Sequence, residues 1–138
     1  LVVEVTEEAI INDLDAASAT LSLLRGDGVG VALDDFGAGY SSLARLARLP
    51  VDTLKLDRSL AQGLTGSERE RIVVEGMIAT ARRLGLTVIA EGIEDDILLT
   101  AAGTAGCQGV QGYCIAPPLD NAALAAFCKR RIARANVA

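Results

Sequence analysis

Five apolar segments alternate with five helix-like ones along this chain, and every apolar segment ends on a polar side chain. Residues 1–5, 29–35, 52–57, 87–92 and 109–113 read as strands, short and bounded by turn residues. Residues 7–28, 40–49, 67–85, 95–106 and 121–135 carry apolar positions at helical spacing; in the first, Ile10, Leu14, Ala17, Leu21 and Leu24 form the stripe. Pro50 ends the second helix, Ser67 caps the third and Gly85 stops it, and Asp120 or Asn121 caps the last. Such alternation predicts an α/β fold in which helices cover a parallel sheet. The 138 residues fit one domain, with no linker between the units.

The polar strand ends recur at one level. Glu4 lies near the end of the first strand, and the adjacent acids Asp34 and Asp35 end the second. Lys55 and Asp57 end the third, Glu91 the fourth and Gln111 the fifth. Side chains alternate faces along a strand, so Gly30, Ala32 and Asp34 share one face while Val31, Leu33 and Asp35 share the other. Leu54 and Leu56 likewise oppose Lys55 and Asp57. One face is bulky and apolar, suited to helices; the other is small and then polar. In a closed parallel barrel the second face points inward, and active sites gather at the C-terminal rim. One acid at a strand end is ordinarily a cap or a loop residue. Five polar ends on one rim point to a site.

Composition narrows the chemistry. There is no histidine, which removes Ser–His triads and most zinc sites. Any metal must be held by oxygen, which selects Mg²⁺, Mn²⁺ or Ca²⁺. The three cysteines lack a Cys-x-x-Cys spacing and read as reduced thiols of a cytoplasmic protein. A net charge of −5 argues against binding polymeric nucleic acid. No apolar run approaches the roughly 18 residues of a membrane span. Gly37 and Gly39 lack the third glycine of a dinucleotide fingerprint and read as a flexible loop. Clustered carboxylates can hold one or two divalent cations, and two ions about 3.5–4 Å apart can activate a water and steady an in-line displacement at phosphorus. The cations would cancel the repulsion between Asp34 and Asp35. Lys55 is a point charge suited to a phosphate oxygen. The residues alone therefore predict metal-assisted phosphate chemistry on a barrel rim.

Five runs carry a family resemblance: EVTE (4–7), DDFGAGYSSL (34–43), DTLKLDRSL (52–60), VIAEGIE (88–94) and QGY (111–113), with Pro118 following. In this order and spacing the chain resembles the EAL-domain family of cyclic-di-GMP phosphodiesterases. The resemblance implies the C-terminal five βα units of a modified TIM (β/α)8 barrel, incomplete in this chain, with residues 1–138 forming one partial EAL domain. It implies metal-dependent hydrolysis of cyclic di-GMP to linear pGpG with Mg²⁺ or Mn²⁺ in a two-metal site. Glu4, Asp34 and Asp35 are then metal ligands, with Asp34 shared by both ions. Lys55 stands beside the attacking water, Glu91 helps to activate or position it, and Gln111 positions the water or the site. Glu7 anchors the loop of Phe36, Gly37, Gly39, Tyr40, Ser41 and Ser42, which couples metal binding to dimer contacts. Glu94 supports the lysine strand, and Asp57, Arg58 and Pro118 contact substrate. A homodimer and an upstream GGDEF or sensory domain are the implied partners.

The chain departs from the family pattern in several places. The Glu-Ala-Leu signature and the metal-binding Asn of the next strand are not in it, so the ligand set is expected to be incomplete and the chain alone weakly active or inactive. Ala38 stands where the family usually has Thr, and Pro117 where a polar or basic residue is common. Two other readings share these motifs: a cyclic-di-GMP-binding module without catalysis, and a dimeric structural half-barrel that covers its own sheet edges.

Overall fold

The computed structural model describes residues 1–11, 13–39 and 42–135. Its strands are β1 (Val2–Thr6), β2 (Gly30–Phe36), β3 (Thr53–Leu56), β4 (Thr87–Ala90) and β5 (Gly109–Val110). They form one sheet in the order β1-β2-β3-β4-β5, with every neighbouring pair parallel. The helices are α1 (Glu7–Ile11), α2 (Leu14–Gly26), α3 (Leu43–Leu46), α4 (Arg58–Gln62), α5 (Glu68–Arg83), α6 (Asp96–Ala105) and α7 (Asn121–Ala135), with a 3₁₀ turn at Gly63–Thr65. A parallel sheet in strictly sequential order, crossed over by helices, is an arc of a β/α barrel. The α/β class and the five-strand partial barrel expected from the sequence are what the structure contains.

The core follows from strand alternation. Val31, Leu33, Leu54, Leu56, Val88 and Ala90 are all at most 1% exposed and face the helices. Val74, Ile78 and Ala81 of α5 and Leu98 and Ala102 of α6 close over them. Burying one such large apolar side chain stabilises the fold by about 1.5–3 kcal/mol. The opposite face carries Gly30, Ala32, Thr53 and Ile89 and then the polar ends.

Local chemistry sets the helix starts. Ser67 caps α5 in a reciprocal box: its hydroxyl accepts from the Glu70 N–H, while the Glu70 carboxylate accepts from the Ser67 N–H at 2.7 Å. Asp95 accepts from the Leu98 N–H at 2.8 Å, and Asp120 from the Ala123 N–H at 2.8 Å. At the opposite end of the sheet, Asp52 accepts from the Val31 N–H at 2.9 Å and Gln108 from the Val88 N–H at 2.9 Å. These two side chains satisfy strand donors where the ladder starts.

Several expected boundaries change. The helix expected over 7–28 is two helices, because Asp13 accepts from the Ala16 N–H at 2.9 Å and starts α2 afresh. The helix expected over 40–49 is α3 alone among the described residues. Past Ala47 its bonds tighten to i→i−3, with the Arg48 N–H donating to the Arg45 carbonyl and Leu49 to Leu46. Tyr40 and Ser41 lie outside the described residues. Helix α4 was not expected; its five residues are too few to show a helical period in the sequence. Strands β4 and β5 end before Glu91 and Gln111, which sit just beyond them.

Candidate active site

The adjacent acids are brought together by a β-bulge. Between β2 and β3, Leu33 pairs with Leu54 and Phe36 with Leu56, so one extra residue of β2 is accommodated between them. Asp35 takes φ 54°, the one non-glycine residue among those described with a positive φ. Two consequences follow. Phe36 turns into the core at 1% exposure, joining Val31 and Leu33, although regular alternation would put it on the face of Asp34. And the Asp35 carboxylate turns back toward Asp34. Carboxylate oxygens of Asp34, Asp35 and Glu91 all lie within 4.8 Å of one another. The face assignment expected for Asp35 from period-two alternation is corrected by this bulge.

Lys55 sits among the acids. Its ammonium lies 2.8 Å from Asp34 Oδ1, 2.9 Å from Glu91 Oε1 and 3.0 Å from Glu4 Oε1. Glu4 reaches it from β1 across the small residues of β2. The lysine is buried, and burial works against its charge. The carboxylates of Asp34, Glu91 and Glu4 outweigh that cost and hold its pKa above the ordinary lysine value. Asp34 Oδ1 is itself buried and accepts no hydrogen bond from the described residues, so its contact with Lys55 is an ion pair of poor hydrogen-bond alignment.

The acceptor capacity left on that oxygen tests whether a metal fits. A buried carboxylate oxygen with unfilled acceptor capacity, flanked by two further carboxylates, is a donor set that suits a hard divalent cation. The grouping differs from the one implied by the resemblance in one respect. Glu91 joins Asp34 and Asp35, whereas Glu4 lies outside that trio as a partner of Lys55.

The remaining residues fall into two groups. Arg58 and Glu94 form a two-pronged pair, Nη1 to Oε1 at 2.7 Å and Nη2 to Oε2 at 2.9 Å. It ties the residue after β3 and Asp57 to the loop after Glu91. Gly92, at φ 65°, lies under the Arg58 stem, where a Cβ would collide with Arg58 Cγ and Cβ. Asp57 caps α4, accepting from the N–H and hydroxyl of Ser59. Gln111 is exposed beyond β5; its N–H donates to the Ala90 carbonyl, and its own carbonyl accepts from the Ile93 N–H. Pro118 is exposed between β5 and α7.

Glu7, half-buried at the start of α1, lines a small apolar cavity together with Ser42 and Phe36. Gly37 lies in the turn after the bulge, followed by an exposed Gly39. Sequence reasoning gave no role to Gly92, although a glycine directly after a strand-end acid was a readable signal. It also gave none to Leu60, whose side chain packs on Gly37, and no sequence pattern announces that contact.

Comparison with known proteins agrees with this architecture. The chain is 43% identical over 129 residues to cyclic di-GMP phosphodiesterase NbdA of Pseudomonas aeruginosa, covering 94% of this chain and 16% of that protein. It superposes on the crystal structure of the EAL domain of Mycobacterium smegmatis DcpA with a TM-score of 0.83 and 36% identity, covering 93% of this chain and 58% of that one. It also superposes on Klebsiella pneumoniae BlrP1 in its manganese and cyclic di-GMP complex, with a TM-score of 0.75 and 34% identity, covering 82% of this chain and 29% of that one. The chain thus spans a minor part of the curated relative and rather more than half of the DcpA chain. Among the described residues, no helix is long and apolar enough to cross a membrane. The family model described as the EAL domain matches residues 1–118, and the chain belongs to that family.

Proposed function

We propose that this chain supplies the metal-binding and lysine-bearing part of an EAL-domain phosphodiesterase that opens cyclic di-GMP to linear pGpG. The observation that carries the reading is the convergence of Asp34, Asp35 and Glu91 around one level of the rim, with Lys55 against them. Asp34, Asp35 and Glu91 hold Mg²⁺ or Mn²⁺, with Glu4 able to join from β1. Bound there, the cation supplies Lewis-acid polarisation of the phosphodiester. Lys55 stays charged at neutral pH and donates to a phosphate oxygen or orients the water. Glu91 and Gln111 position that water, and the Arg58–Glu94 pair fixes the chain beyond β3 for contacts of Asp57, Arg58 and Pro118 with substrate. Glu7 and the loop from Phe36 to Ser42 connect the site to a second copy, and an upstream GGDEF or sensory domain supplies regulation.

Residues 1–138 act as one partial EAL domain, with α7 beyond the matched region. Taken alone they turn over little substrate. The polar face of the five-strand arc is open, and Glu4 is 51% exposed where a closed barrel would enclose it. The test is incubation of the full-length protein with cyclic di-GMP and Mn²⁺, with products separated by chromatography. Formation of pGpG that a chelator abolishes is expected. Tight binding of intact dinucleotide without turnover would favour the binding-module reading instead.

A further inference from the structure

We propose that Leu60 is a positioning residue for the paired carboxylates: its side chain on α4 is the stop that keeps Asp35 in the left-handed conformation that the bulge requires. The proposal rests on the metal-site reading above. Asp34 and Asp35 converge with Asp35 held at φ 54°. For most residues with a Cβ that conformation costs about 1–2 kcal/mol; Asp tolerates it better than most, and the surroundings supply the remaining support.

Three contacts close around it. The Ala38 N–H donates to the Asp35 carbonyl at 3.2 Å and makes the tight turn. The Asp57 N–H donates to the Phe36 carbonyl at 2.9 Å and fixes the turn to the end of β3. The third contact is steric. Gly37, at φ 105°, is pressed against Leu60 so closely that a Cβ on it would lie 2.7 Å from Leu60 Cδ2 and 2.8 Å from Leu60 Cβ. Helix α4 cannot yield easily, because Asp57 caps it and Ala61 is wholly buried beneath it. The turn after the acids therefore rests on a fixed wall. Without the Leu60 side chain beyond Cβ, the segment Asp35–Ala38 can relax toward α4, and Asp35 can return to an ordinary strand conformation that points its carboxylate away.

The experiment is a Mn²⁺ titration of the full-length protein, followed calorimetrically and by the loss of free-ion electron paramagnetic resonance signal. Wild type is compared with Leu60→Ala, Leu60→Val, Leu60→Met and Asp35→Asn, with folding checked by thermal melts. Supporting groups around metal ligands typically shift affinity about 10-fold or more. Leu60→Ala is expected to weaken Mn²⁺ binding by about 10-fold, Leu60→Val by less, and Leu60→Met to restore it. Leu60→Val gives the answer should Leu60→Ala fail to fold. If Asp35→Asn weakens Mn²⁺ binding while folded Leu60→Ala and Leu60→Val bind as wild type does, the positioning role is wrong and the metal site stands. If Asp35→Asn leaves Mn²⁺ affinity unchanged, the metal-site reading falls and this proposal with it.

Discussion

Lys55 Nζ lies 2.8 Å from Asp34 Oδ1, an oxygen that is buried and has no aligned hydrogen-bond donor among the described residues. The same ammonium holds Glu91 and Glu4 at 2.9 and 3.0 Å. One cation thus keeps three carboxylates together on a rim that would otherwise repel itself.

Replacing Lys55 with Met should therefore cost both stability and turnover. Breaking a fully buried ion pair costs roughly 3–5 kcal/mol; with Glu4 half exposed, a loss of about 2 kcal/mol is expected in chelator. Added Mn²⁺ should recover part of it, since a divalent ion replaces the missing charge. Turnover should fall about 100-fold or more even with metal present. Urea melts with and without Mn²⁺, and a product assay, check the two halves separately.

Gly112 leaves no room for a side chain. A Cβ there would collide with the backbone oxygen and nitrogen of Ile93, which cannot swing aside as a side-chain tip could. Gly112→Ala should lower stability by about 1–3 kcal/mol and displace Gln111 at the rim. The stability loss is read by melting, the displacement by a fall in kcat in protein that remains folded.

The Arg58–Glu94 pair should separate stability from function. Both side chains are about half exposed, so the pair contributes no more than about 1 kcal/mol to the fold. Its two-pronged geometry is what lysine cannot reproduce. Arg58→Lys is expected to melt close to wild type while losing turnover, and side-by-side melting and kinetic measurements decide it.

Asp52 gives a pH dependence far from the site. The Val31 N–H that donates to it lowers its pKa; burial opposes this, and Arg25 at 2.7 Å lowers it further, leaving it below the ordinary carboxylate value. A folded pKa below the unfolded one means that the stabilisation is present above the unfolded value. It is lost as the pH falls through the folded value. Asp52 is 40% exposed and its charge is screened, so Asp52→Asn should be less stable than wild type by no more than about 0.5 kcal/mol at neutral pH, with the gap closing below about pH 4. Denaturant melts across that range measure it.

Much of this was legible in the residues. The alternation of apolar strands and amphipathic helices dictated a parallel sheet, and the caps at Ser67 and Asp120 were readable because a cap is a local device. The polar strand ends put Lys55, Asp34 and Glu91 at one level of the rim, and the structure brings the three into contact there. What was not legible depends on partners distant in sequence. The bulge at Asp35 exists because β3 pairs with both sides of it, and strict alternation sent that carboxylate to the wrong face. The break before α2 was hidden because an unbroken apolar stripe runs through Asp13. The pairing of Arg58 with Glu94 joins the first residue of α4 to the segment after β4, two places that the sequence alone does not bring together.

If the carboxylates brought together by the bulge form the hydrolytic site, removing one of them should remove the activity. The most direct measurement is cyclic di-GMP turnover by the full-length protein carrying Asp34→Ala, with Mn²⁺ present and folding verified. A loss of at least about 100-fold is expected, as when a group that binds a catalytic metal is removed. Turnover near the wild-type rate would contradict it.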